Sequence, residues 1–314
     1  MTDGFGRKID YLRISVTDLC NLRCVYCMPE KGIEKRPHQD ILSIEELVLA
    51  AQAAADCGVT KIRVTGGEPL VRNGIVDLVR GICAIPGLRE VCMTTNGVLL
   101  PRFAKELKEA GLTRLNVSLD TLDPAKYAAI TRVGRLEDVL AGLDAAAEAG
   151  FTGTKINAVL MGGVNEDELA RLVELTRERE LELRFIELMP IGECAGWDRS
   201  RFIPGETVLR AVPALESVGQ SGVALLYRVP GWKGRVGLID PISHRFCDQC
   251  NRIRITADGK IKPCLHSAGE FDLKGLDRAG MREVLRRAIG SKPGRHSLAE
   301  QGSESARNMN EIGG

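Results

Sequence analysis

No stretch of this 314-residue chain approaches the ~18 uninterrupted apolar residues that a membrane-spanning helix needs. The opening residues, MTDGFGRKIDYLRISV, lack the apolar core and cleavage pattern of a secretory leader. Neither sign of charge is in excess. Lys and Arg number 43 against 42 Asp and Glu, so no global field favours nucleic acid or an anionic membrane, and any basic site must be local. Low-complexity linkers and internal repeats are also missing. These absences predict a cytoplasmic protein with no membrane or nucleic-acid partner. With 44% hydrophobic and 27% charged residues, wholesale disorder is excluded, and the length is ample for a large core.

What the chain does have is 10 cysteines, which a reducing compartment would keep as thiols. Six fall into two distant groups. The first is Cys20-x3-Cys24-x2-Cys27; the second is Cys247-x2-Cys250, followed after thirteen residues by Cys264. Cys57, Cys83, Cys92 and Cys194 are scattered and read as small buried hydrophobes. Three readings compete for the groups. A disulfide framework suits small secreted chains rather than this one. Zinc usually takes four ligands where each group offers three cysteines, and neither His38 nor His266 completes a familiar zinc spacing. Iron–sulfur clusters are normally held by thiolates, and three ligands on a four-iron cube leave one iron open. Spacing favours the cluster and leaves zinc as the alternative.

From Tyr11 to Met189 the chain alternates strands and helices. Strands are expected at Leu12–Thr17, Lys61–Thr65, Val91–Thr95, Arg114–Asp120, Lys155–Met161 and Glu182–Leu188. Helices are expected at Ile44–Cys57, Ile75–Cys83, Arg102–Ala110, Leu136–Ala149 and Glu166–Glu180, the first opened by a Ser43/Glu46 capping box. Six such repeats predict a parallel α/β sheet with right-handed crossovers. Four strands alternate polar and apolar residues: Arg13 and Ser15 share one face of the first, Arg63 and Thr65 one face of the second, Asn116, Ser118 and Asp120 one face of the fourth, Lys155 and Asn157 one face of the fifth. A doubly wound sheet would read as apolar on both faces. A polar inner face predicts a partial, open (βα)6 TIM-like barrel whose lumen holds a polar ligand; a solvated sheet edge is the plainer alternative. Residues 191–235 are rich in Gly and Pro with one short helix near Glu206–Ala211. Beyond them a strand is expected at Val236–Asp240, a hairpin around Asp258-Gly259 with arms Arg252–Thr256 and Lys260–Pro263, and a helix at Asp277–Ala288. This divides the chain into a barrel, residues 1–190, and a C-terminal extension, residues 191–314, that covers it.

Cys20 to Cys27 reads CNLRCVYC, and Gly66-Gly67-Glu68-Pro69 follows directly on the second strand. Together these resemble the radical S-adenosylmethionine (SAM) enzymes. With KIRVTGGEP, TTNG, NVSLD, RFIELM, the Cys247/Cys250/Cys264 group with Asn251-Arg252-Ile253-Arg254 directly after Cys250, and the terminal Gly313-Gly314, the whole chain resembles the GTP 3′,8-cyclases of molybdenum cofactor biosynthesis.

That resemblance implies two [4Fe–4S] clusters, the first on Cys20, Cys24 and Cys27, the second on Cys247, Cys250 and Cys264. It implies SAM contacts at Tyr26, Gly67, Ser118 and Met189. GTP contacts are implied at Arg13, Arg63, Thr94, Lys155, Arg252, Ile253 and Arg254, with Arg13, Arg252, Arg254, Gly313 and Gly314 important for turnover. The implied reaction uses a 5′-deoxyadenosyl radical to take the 3′ hydrogen of GTP, after which C3′ attacks guanine C8. An external electron donor, a homodimer and contact with the cyclic pyranopterin monophosphate synthase acting next complete the expectation. The residues themselves support the anion. Arg252 and Arg254 lie at i and i+2 on one face of a strand, and guanidinium forks grip phosphate. Two other readings stay open: a peptide-modifying radical SAM maturase, and a zinc-stabilised binding protein without catalysis.

Overall fold

The computed structural model describes residues 1–298 and 302–313. Six strands follow one another in parallel: β1 (Tyr11–Ser15), β2 (Lys61–Thr65), β3 (Glu90–Thr95), β4 (Arg114–Ser118), β5 (Lys155–Leu160) and β6 (Glu182–Glu187). The helices between them include α1 (Ile44–Asp56), α2 (Ile75–Cys83), α3 (Leu100–Glu109), α4 (Pro124–Thr131) and α5 (Leu136–Glu148). The expected capping box is present: Ser43 Oγ accepts the Glu46 N–H, and the Glu46 carboxylate accepts the Ser43 N–H.

The alternation works as expected. Leu12, Ile14, Ile62 and Val64 are fully buried in the apolar layer under the helices. Arg13, Arg63, Asn116 and Lys155, on the other face, line the concave side. Burying that apolar layer drives the fold, at roughly 25 cal/mol per Å² removed from water.

Four expectations need correction. Residues 166–180 are not one helix; two 3₁₀ turns flank a single short helix, α6 (Leu169–Val173). The helix α4 was not anticipated, although Asp123 caps it by accepting the Ala125 and Lys126 N–H groups and Pro124 sits at its first turn. Residues 191–235 hold more than α7 (Glu206–Ala211): a hairpin of β7 (Glu216–Ser221) and β8 (Ala224–Arg228) lies there too.

The extension also does more than cover the barrel. Its strand β9 (Arg235–Ile239) pairs in parallel with β6, and β10 (Arg252–Ile255) pairs in parallel with β1. With β11 (Lys260–Lys262) and β12 (Phe271–Asp272), the result is one twelve-stranded open sheet. Its order is β12-β11-β10-β1-β2-β3-β4-β5-β6-β9-β8-β7. Helix α8 (Arg278–Gly290), capped by Asp277, packs against α1. No helix among the described residues is long and apolar enough to cross a membrane.

Candidate active site

The concave face encloses a cavity of about 500 Å³ lined by all six grouped cysteines. The sequence separates the two triads by more than two hundred residues. The β1–β10 pairing brings them to one space, because Arg13 on β1 sits in register with Arg254 on β10, just past Cys250.

The first cysteine loop is seated on the glycine pair that ends β2. Gly67 donates its N–H to the Thr17 carbonyl at 2.7 Å, and Glu68 donates to the Leu19 carbonyl at 2.8 Å. The approach is tight: a Cβ on Gly67 would meet the Leu19 carbonyl oxygen at 2.4 Å. The buried Glu68 carboxylate then accepts from Thr95 Oγ1 at 2.8 Å and from the Asn96 N–H at 2.6 Å. Asn96 donates its side-chain amide to Asn21 Oδ1 at 2.8 Å and to Cys20 Sγ at 3.7 Å. One hydrogen-bonded chain thus links the GGEP, TTNG and CNLRC segments. Burial holds the thiols neutral, pushing Cys20 up to about 11 and Cys27 up to about 12.

Tyr26, Gly67, Ser118 and Met189 all line the same cavity. Tyr26 donates its hydroxyl to Asp120 Oδ2 at 2.8 Å, while Asp120 Oδ1 accepts the Val159 N–H at 2.8 Å. Burial raises Asp120 to about 6. Asp120 was expected on the polar inner face of the fourth strand, but not as the partner of Tyr26, and neither Glu68 nor Asn96 was singled out as a site residue. Their neighbours in the GGEP, TTNG and NVSLD runs were the available signal.

The second triad is pinned from two sides. Arg7, paired with Asp3 at 2.6 Å, donates to the carbonyls of Cys247, Pro293 and Gly294. Buried Lys292 donates to the Arg252 and Pro263 carbonyls at 2.8 and 2.7 Å. Burial alone would raise the Cys250 thiol, but the charges of Lys292 and Arg252 bring it below its usual value. Neither Arg7 nor Lys292 carries a sequence signal, since each acts on backbone far away in the chain. Cys194, read as a buried hydrophobe, is buried but also lines the cavity beside the first triad.

Between the triads lie the cations. Arg63 donates to Tyr11 Oη and, at 2.9 Å, to Thr94 Oγ1. The Arg252 guanidinium lies 5.5 Å from the Phe246 ring centre, and its Nε is buried without a hydrogen-bond partner. Arg254 donates to the Gly313 carbonyl. Among the described residues, none of these three forms an ion pair. The floor of the lumen differs. There Glu182 pairs with Lys155 at 2.9 Å and Arg184 at 2.5 Å, and Glu90 pairs with Lys61 and Arg114. Burial first, then the Arg184 charge, lowers Lys155 to about 8. Burial and the neighbouring Arg252 lower Arg254 to about 10. Asn116 Oδ1 and Asn157 Oδ1, on the same face, are also buried without partners. Such groups are costly unless a polar ligand meets them, with anionic groups for the guanidiniums and hydrogen-bond donors for the amide oxygens.

One expected contact is made differently. Ile253 points its side chain into the apolar core, fully buried, so only its backbone is left to face a ligand. Gly313 reaches the barrel: a Cβ there would lie 2.6 Å from Thr65 Cγ2. Gly314 lies outside the described residues.

The donor set fits iron–sulfur clusters. Each triad presents three free thiols to the cavity. Among the described residues, no three His, Cys, Asp or Glu side chains converge tightly enough for a single metal ion, as zinc would need. Three thiols opening on one cavity suit a cluster with one open iron.

Residues 14–176 match the family model of the Radical SAM superfamily, and residues 181–298 match Molybdenum Cofactor Synthesis C. A GTP 3′,8-cyclase of Peptoclostridium acidaminophilum is 52% identical over 320 residues, covering 100% of this chain and 98% of the relative. One from Alkaliphilus metalliredigens (strain QYMF) is 50% identical and covers 100% of both. Among solved structures, Streptococcus suis SuiB superposes with a TM-score of 0.65 at 16% identity, covering 93% of this chain and 68% of SuiB, a likeness of fold alone. With identity of this order sustained from end to end, the chain belongs to the GTP 3′,8-cyclase family of the radical SAM superfamily.

Proposed function

We propose that the chain converts GTP into (8S)-3′,8-cyclo-7,8-dihydroguanosine 5′-triphosphate, the first step of molybdenum cofactor biosynthesis. The observation that carries this reading is one cavity between two cysteine triads in which Arg63, Arg252 and Arg254 have no carboxylate partner among the described residues. Cys20, Cys24 and Cys27 would hold a [4Fe–4S] cluster open to SAM, and Cys247, Cys250 and Cys264 a second beside the substrate base. Bound together, the first cluster and SAM supply an electron and a 5′-deoxyadenosyl radical.

The chain's own residues do the rest. The Tyr26 ring packs against the adenine, and Gly67, Ser118 and Met189 hold the remainder of SAM. Arg13, Arg63, Thr94, Lys155, Arg252, Arg254 and the Ile253 backbone grip GTP. Guanidinium forks take its phosphates bidentately. The lumen wall keeps water and stray hydrogen donors from the reacting carbon. Fixing the ribose edge first and guanine C8 second is a positioning task, in which effective concentration supplies most of the gain. Gly313 completes the site from the C-terminal side, and Gly313 and Gly314 are both needed for turnover. Residues 1–190 serve SAM, and residues 191–314 serve the second cluster and the base. In this reading an external donor supplies electrons, the enzyme works as a cytoplasmic homodimer, and it passes product to the cyclic pyranopterin monophosphate synthase.

The test is anaerobic. Reconstituted protein, dithionite and SAM are incubated with GTP, ATP or no nucleotide, and 5′-deoxyadenosine is quantified. Its formation with GTP selectively, with GTP consumed, upholds the reading. SAM cleavage indifferent to GTP removes the substrate assignment.

A further inference from the structure

A cluster of charges outside the cavity holds the segment that ends at Gly313. Arg307 donates through Nε and Nη2 to the two Glu270 carboxylate oxygens, at 2.7 Å each. Its Nη1 and Nη2 reach the Asp258 carboxylate at 3.1 and 2.9 Å. Asp258 also meets Arg36 at 3.4 Å, and Arg36 goes on to Asp18 at 2.8 Å and Glu311 at 2.9 Å. Two guanidinium groups therefore cross-link five places: the loop after β1, the loop after the first cysteines, the β10–β11 turn, the approach to β12, and residues 307–311. Isolated surface ion pairs are worth little. This one is bidentate, networked and largely covered, with Arg307 and Asp258 side chains only 15% and 14% exposed.

The network leads inward. An Asn308/Glu311 capping box starts the helical turn Met309–Ile312. Asn310 donates its amide to the Asp18 carbonyl at 3.1 Å. The turn delivers Gly313, at φ +82°, against Thr65 and Ser15, where its carbonyl receives the Arg254 guanidinium.

We propose that Asp258 and Arg307 are positioning residues that seat Gly313, and through its carbonyl aim Arg254 into the cavity. Asp258 sits in the turn that follows the Arg254 strand, so one carboxylate ties the tail to the strand bearing the arginine that the tail orients. The proposal deepens the GTP cyclase reading and borrows from it only the identity of the substrate.

Two variants test it, Asp258→Asn and Arg307→Ala, with Arg307→Lys as the conservative control. Hydrogen exchange of the cluster-loaded protein reads the seat through the Glu311 and Gly313 amides. Their exchange should quicken by about tenfold or more while β3 and β4 stay protected. Turnover reads the aim. The 5′-deoxyadenosine formed per GTP consumed should rise about threefold, with kcat falling more than KM changes and Arg307→Lys restoring part of the loss. Faster tail exchange with an unchanged ratio would reduce the network to a structural tie and overturn the proposal; so would unchanged exchange. If Asp258→Asn does not fold, Arg307→Ala, on the tail itself, decides. If the wild type consumes no GTP, the cyclase reading fails, and exchange alone decides the seat.

Discussion

The buried carboxylate of Glu68 accepts the backbone N–H of Asn96 at 2.6 Å, joining the end of β2 to the end of β3 directly under the first cysteine loop. Burial lifts Glu68 from an ordinary 4.5 to about 7. An acid raised on folding contributes most below its unfolded value, and that contribution is lost as pH rises through about 7. Glu68→Gln should flatten the pH dependence of Tm across this window. It should also lower iron incorporation, because the amide offers one accepting oxygen where the carboxylate offers two. A Tm–pH curve parallel to that of the wild type, with full iron loading, would refute both roles.

Gly67→Ala should disturb the cluster loop without touching a cysteine. The new Cβ would meet the Leu19 and Asp18 carbonyl oxygens at 2.4 and 2.6 Å, and backbone cannot swing aside as a side chain does. Iron content and SAM cleavage should fall together, by about tenfold or more. GTP affinity measured separately should hold, since Arg13, Arg252 and Arg254 sit on β1 and β10 and Arg63 lies within β2, four residues before the substituted glycine.

Arg252→Ala together with Arg254→Ala removes two donors that find no carboxylate among the described residues. Charge-assisted hydrogen bonds are worth about 1.5–3 kcal/mol each, so GTP affinity should drop by about 10- to 100-fold per lost contact. Calorimetry on the reconstituted protein reads this directly. SAM affinity in the same variant should be unchanged; equal GTP affinity would remove the arginines from the substrate site.

Lys155, lowered to about 8, gives the site a pH signature. A polyphosphate favours the charged ammonium, so binding above about pH 8 must take up a proton. Affinity should therefore weaken as pH rises through that value, by at most about tenfold per unit. Lys155→Arg should flatten the profile. A wild-type profile already flat from about pH 7 to about 9 would exclude the role.

Much of this was legible in the chain. The six strands announced themselves between helical runs, and in four of them the alternation of an apolar with a polar face exposed Arg13, Arg63, Asn116 and Lys155 as lumen residues. Cys20 to Cys27 is a local motif, readable without the fold. The hairpin β7–β8 left no trace because β7, ESVGQS, is almost wholly exposed and shows no apolar period. Helix α4 did carry a cap signal, Asp123-Pro124, but its run is short. The pairings of β9 with β6 and β10 with β1 are long-range and set by where the edges of the sheet lie, which no local pattern encodes. The same holds for Asp120 under Tyr26, Lys292 behind Cys250, and the Arg36–Asp258–Arg307 chain, whose members meet only after the fold is made.

The placement of β10 beside β1 also bears on how the molecule is made. The first strand synthesised waits for one of the last before its outer edge is hydrogen-bonded. Until then the nascent sheet offers open N–H and C=O groups along both β1 and β6, the kind of surface that recruits foreign strands. Closing so distant a contact costs chain entropy before it returns any bonding. Assembly of the cavity is therefore a late, whole-chain event. A truncation anywhere between Met28 and Arg252 would leave the first cysteine loop intact in sequence yet strip the neighbouring strand from the floor on which it rests.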